Sequence, residues 1–108
     1  MLKCKVAIFV PSTININIAI DNTKQVEKTS IFLSGIFGGC TSYNAYGKLI
    51  DGNNNLISEN ITICFSYCTK KQLRKAKKDV LNYVKSLCQE MKQDCISLEI
   101  NNKLYFIN

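Results

Sequence analysis

The chain has 108 residues, 46% of them hydrophobic and 20% charged, with 14 basic side chains against 8 acidic ones. That length fits one domain, and the apolar content is that of a folded chain rather than a disordered one. No apolar run approaches the length of a membrane span, and the lack of any histidine excludes Ser-His-Asp and Cys-His catalysis and every His-ligated metal.

Residues 3–10 predict a strand, with Cys4, Val6, Ile8 and Val10 on one face and Ala7 and Phe9 on the other. Apolar side chains on both faces suit a central strand, and Pro11 ends it. In the stretch that follows, Ile14, Ile16, Ile18 and Ile20 alternate with Asn15, Asn17 and Ala19, which predicts extended structure, either an edge strand or an ordered loop. Asp21-Asn22-Thr23 supplies an N-cap for a helix over 23–36. Its buried stripe is Val26, Thr29 or Ser30, Leu33 and Phe37, with Ile36 beside them, and Gly38-Gly39 stops it.

A second strand is expected over 40–50, with Tyr43, Tyr46 and Gly47 inside it, then a turn at Asp51-Gly52-Asn53-Asn54-Asn55. The third strand, 56–68, sets Ile61, Ile63, Phe65 and Tyr67 on one face and Thr62, Cys64, Ser66 and Cys68 on the other. Thr69 caps a helix over 70–92, in which Leu73, Ala76, Val80, Val84, Leu87 and Met91 recur at three-and-four spacing. Residues 94–100 form a fourth strand, with Cys95, Ser97 and Glu99 facing opposite to Ile96, Leu98 and Ile100. Asn101-Asn102 then turns the chain into a short fifth strand over 103–107. Strand, helix, strand, strand, helix, strand is the ferredoxin-like split βαβ order: a single α+β domain over 1–108, its antiparallel sheet carrying two helices on one face. The other face, with Phe9 and the tyrosines, predicts a homo-oligomer joined through the open sheet.

The charge is uneven. Lys70, Lys71, Arg74, Lys75, Lys77 and Lys78 hold the whole surplus, because the rest of the chain balances eight against eight. A basic helix start attracts phosphate-bearing partners, although a solvated helix face has the same composition. Lysines there oppose the helix dipole, which leans toward a functional reason for them. Arg74 is the one arginine, so base-specific DNA readout is not expected. The six cysteines include no CxxC pair, and no secretory leader is read at Met1-Leu2-Lys3-Cys4-Lys5. Reduced, mostly buried thiols in a cytoplasmic protein are the expectation.

The antiparallel order gathers polar residues at two edges. One holds Ser12, Thr13, Asn15, Asn53, Glu59, Gln93 and Asp94, a polar pocket if these side chains are not simply caps and turns. The other holds Gly38, Gly39, Thr41 and Tyr43 with Lys70, Lys71 and Arg74, where backbone amides and lysines meet a phosphate and a tyrosine stacks on a base. No nucleophile has a base beside it, and metal-assisted phosphodiester chemistry requires Glu59 and Asp94 to converge. The residues therefore point to a non-enzymatic binding protein for an anionic, nucleotide-type ligand, without cofactor or metal. The alternatives are a module docking a host protein through its open sheet face, or a non-specific nucleic-acid binder. Candidate ligand-binding residues are Ser12, Thr13, Asn15, Gly38, Gly39, Thr41, Tyr43, Glu59, Lys70, Lys71 and Arg74.

Val10-Pro11-Ser12-Thr13, Phe37-Gly38-Gly39-Cys40-Thr41-Ser42-Tyr43 with Gly47, Glu59, and Gln93-Asp94-Cys95-Ile96-Ser97-Leu98-Glu99-Ile100 form a recurring pattern. By it the chain resembles a group of small proteins carried by plasmids, phages and other mobile elements of AT-rich bacteria. It departs from that pattern at Leu49, where the group has an aromatic residue, and at Asp94, where it has glutamate. The resemblance implies a host-interaction or anti-defence role, such as sequestering a host signal, and no particular reaction.

Overall fold

A computed structural model describes residues 1–15 and 17–108. The elements in chain order are β1 (Cys4–Pro11), β2 (Thr13–Ile14), β3 (Ile18–Ala19), α1 (Thr23–Phe37), β4 (Thr41–Ile50), β5 (Leu56–Cys68), α2 (Lys70–Glu90), β6 (Ile96–Ile100) and β7 (Lys103–Ile107). Five strands form one sheet in the order β4-β5-β1-β6-β7, with every neighbouring pair antiparallel. This is the split βαβ arrangement with a fifth strand added beside β6, as the element order predicts.

Strand alternation fixes the two faces. Cys4, Val6, Ile8 and Val10 of β1, Cys64 and Cys68 of β5, and Ile96, Leu98 and Ile100 of β6 are buried beneath the helices. Leu33 and Phe37 of α1 and Val80, Val84 and Leu87 of α2 close the core from above, with Met91 just beyond α2. Each fully buried aliphatic side chain there contributes about 1.5–3 kcal/mol through removal from water. Five of the six cysteines are at least half-buried, and only Cys95 is exposed. Burial pushes the Cys64 thiol up to about 11, so it stays protonated and unreactive.

The helix ends are built differently. Thr69 accepts from the Gln72 backbone N–H at 3.0 Å while the Gln72 side chain accepts from the Thr69 N–H at 2.8 Å, a complete capping box. At α1, Asn22 occupies the cap position without capping. Its amide donates instead to the Pro11 carbonyl and to Thr62 Oγ1, and Asp21 takes the Thr23 N–H. Gly38, at φ +95°, ends α1 in the left-handed region that glycine adopts without strain.

The isoleucine-rich stretch after Pro11 does not join the main sheet. Thr13–Ile14 and Ile18–Ala19 pair with each other as a small separate ribbon, and Ile16 lies outside the described residues. Asn101 and Asn102 both take positive φ, the geometry of the tight hairpin turn read from their sequence. The β4–β5 hairpin runs on past the helices, and the molecule measures 43 × 25 × 22 Å. On this arm Tyr46, Ile50 and Leu56 are 63%, 60% and 61% exposed, far more than isolated apolar side chains need be. Among the described residues, no helix is long and apolar enough to cross a membrane.

Candidate functional site

The sheet face away from the helices carries Phe9 and Pro11 from β1, Glu59 and Ile61 from β5, and Ser97 from β6. Where these three strands meet the loop before β6, they enclose a small pocket. Phe9, Pro11, Glu59, Ile61, Gln93, Cys95, Ile96 and Ser97 line its volume of about 80 Å³. Phe9, Pro11 and Ile61 give it apolar sides. Glu59, Gln93 and Ser97 give it a carboxylate, an amide and a hydroxyl. On the far side of Ile61 lies a second hollow of about 210 Å³, lined by Ser12, Asn22, Asn44, Asn60 and Thr62.

Glu59 sits opposite Gly47 in the β4–β5 register. A Cβ built on Gly47 would lie 3.5 Å from Glu59 Cγ, so the glycine leaves the glutamate room to lie across the neighbouring strand. Glu59 is half-buried and has neither a side-chain hydrogen bond nor an ion pair among the described residues. A half-buried carboxylate with open lone pairs beside a pocket is free to accept hydrogen bonds from a ligand.

The other candidates at this edge hold the chain in place. Ser12 Oγ donates to the Asn60 carbonyl and ties the end of β1 to β5. Gln93 Nε2 donates to the Thr13 carbonyl at 3.0 Å and to the Met91 carbonyl at 3.1 Å, while the Asn15 N–H donates to Met91 at 2.9 Å. Asn22, Thr62 and Asn44 form a hydrogen-bonded chain along the wall of the second hollow. Asp94 is exposed and does not line the Glu59 pocket, and Asn53 belongs to the hairpin turn. Among the described residues, no group of three or more metal-ligating side chains comes together.

The opposite edge is less like the phosphate cradle expected of it. Gly38, Gly39 and Thr41 line a broad depression of about 490 Å³ together with Leu2, Phe37, Phe65, Ser66 and Tyr67. The Gly38 N–H already donates to Ser34 and the Gly39 carbonyl accepts from Ser66 Oγ at 2.6 Å, so the glycine pair is a helix stop. Lys70, Lys71 and Arg74 are exposed and are not part of that lining. Tyr43 lies edge-on to Phe65 at 5.8 Å and lines a separate hollow with Asn22, Ser42 and Asn44. The structure thus divides the eleven candidates among four places: the Glu59 edge, the Gly38–Thr41 depression, the hollow beside Tyr43, and the exposed start of α2. It brings Gln93 beside Glu59, as the edge reading has it, and adds Phe9, Cys95 and Ser97; the shared face of Cys95, Ser97 and Phe9 in the strand alternation was the available sign.

No family model matches the chain, and no curated protein does. Among solved structures it is similar to a phage SAM lyase in complex with S-methyl-5′-thioadenosine, at 18% identity and a TM-score of 0.68, over 97% of this chain and 88% of that one. It is also similar to a phage SAM lyase in the apo state, at 21% identity and a TM-score of 0.66, over 99% and 90% of the two chains. At these identities the likeness establishes the fold, a five-stranded antiparallel sheet with two helices, shared over nearly the whole chain.

Proposed function

We propose that this chain binds an adenosyl-sulfur nucleoside of the S-adenosylmethionine type on its open sheet face, around Glu59, and releases methylthioadenosine from it. The observation that carries the reading is the unpartnered, half-buried Glu59 carboxylate beside a pocket on the open sheet face, in a fold shared with a lyase in complex with S-methyl-5′-thioadenosine. A carboxylate is a natural acceptor for the paired hydroxyls of a ribose. The ligand has no phosphate, so the reading needs no contribution from Lys70, Lys71 or Arg74. It differs from the anionic nucleotide expected from the basic helix start, Gly38-Gly39 and the aromatic strand.

The chemistry suits a chain without histidine. A sulfonium is a ready leaving group, and S-adenosylmethionine carries its own nucleophile. Its carboxylate oxygen attacks the carbon bonded to sulfur, a C–O bond forms as the C–S bond breaks, and the electron pair stays on sulfur. The products are a neutral thioether nucleoside and a five-membered lactone, and no proton moves. Opposite charges disappear in the transition state, so exclusion of water from the site favours it over the solvated substrate. Glu59 serves this best on the ribose, because a carboxylate against the sulfonium would stabilise substrate more than product.

The hollow of about 80 Å³ is smaller than the roughly 300 Å³ at which small-molecule sites begin. A second copy of the chain laid on the open face completes the enclosure. Such an assembly is the homo-oligomer anticipated from the exposed aromatic face. On a mobile element, removing a methyl-donor nucleoside would act against host processes that depend on it.

Calorimetric titration with methylthioadenosine tests the site. The wild-type chain is expected to bind, and Glu59→Gln to bind about 10- to 100-fold more weakly, the loss of charge-assisted hydrogen bonds of about 1.5–3 kcal/mol. No binding by the wild-type chain, or equal binding by the variant, would contradict the proposal.

A further inference from the structure

The fold leaves the basic surface of α2 without a role in nucleoside binding. Lys70, Lys71, Arg74, Lys75, Lys77, Lys78 and Lys85 are all exposed. At 100° per residue they fall on one continuous face spanning about 160° of the helix and running about 22 Å along it. The two carboxylates of α2 are kept off that face. Glu90 pairs with Lys28 of α1, and Asp79 lines a hollow beside Ile36 of α1. Among the described residues, Lys28–Glu90 is the one ion pair, so the basic face has no protein counter-charge. No acidic residue occupies the first turn of α2 to offset the lysines there. Strand β7, which α2 touches, adds Lys103 and Tyr105 on the helix side of the sheet.

We infer that this face docks the phosphate backbone of a nucleic acid without regard to sequence. A row of unpaired cations over about 22 Å matches a series of phosphates, and lysine in place of arginine supplies charge without base readout. A lipid surface is the poorer match, because the apolar stripe of α2, Val80, Val84 and Leu87, is buried in the core and nothing remains to insert. The inference stands apart from nucleoside binding, which uses the other side of the sheet.

The test is fluorescence anisotropy with a labelled DNA duplex of about twenty base pairs and arbitrary sequence, over a salt series starting near about 50 mM. Binding is expected, with log affinity falling linearly against log salt by about 0.9 per phosphate contacted. The variant Lys77→Gln, Lys78→Gln, Lys85→Gln is expected to bind more weakly and to lower that slope by about 2–3. Its titration with methylthioadenosine is expected to match wild type, which shows that it folds and separates the two readings. No duplex binding at low salt, equal binding by the variant, or binding only to phosphatidylserine vesicles would overturn the inference.

Discussion

Glu59 and Gly47 form the smallest unit of the account. The glutamate is available to a ligand because its cross-strand neighbour has no side chain, and the space that a Cβ would occupy ends at ordinary contact with Glu59 Cγ. Gly47→Ala should therefore be tolerated, whereas the branched carbons of Gly47→Val must displace the glutamate. The expected outcome is about a 10-fold loss of methylthioadenosine affinity, about 1.4 kcal/mol, with little change in melting temperature. Wild-type affinity in Gly47→Val, measured by the same titration, would remove the glycine from the site. Only the register of β4 against β5 shows that Gly47 and Glu59 face each other. Ser12, Thr13 and Asn15 carry the opposite lesson. Hydroxyls and amides after a strand look the same in sequence whether they meet a ligand or hold the backbone; here the Ser12 hydroxyl donates to the Asn60 carbonyl, while the Thr13 carbonyl and the Asn15 backbone N–H are held by Gln93 and Met91.

The elements themselves were largely legible, because their signals are local. The stripe from Leu73 to Met91 gives α2, the alternation Ile61 to Tyr67 gives β5, and the asparagine pair gives the β6–β7 turn. Thr69 was readable as a cap and proves to be half of a reciprocal capping box. Thr69→Ala should cost about 1 kcal/mol of unfolding free energy in a urea titration, and a change below about 0.3 kcal/mol would show that the cap is redundant. The start of α1 at Thr23 was legible, but the side chain at its cap position is used elsewhere for a physical reason. Asn22 has a choice of partners, and the carbonyls of Val10 and Pro11 with Thr62 win its amide from the helix. The Ile14–Ile20 alternation similarly satisfied a strand pattern without a place in the main sheet, since β6 takes the free edge of β1.

Across the whole molecule, two surfaces are separated by the sheet. The helix side presents a basic face, and the open side presents the Glu59 pocket, Tyr43, Tyr67 and Phe106. Composition pointed to the first surface because charge is visible in a sequence, and said little of the second because a pocket arises from strands distant in sequence. The most direct measurement is incubation of the protein with S-adenosylmethionine, followed by mass spectrometry of the small molecules. The account predicts methylthioadenosine and the five-membered lactone in equal amounts from the wild-type chain, and strongly reduced release from Glu59→Gln. Intact S-adenosylmethionine after prolonged incubation, or equal release by both proteins, would contradict it.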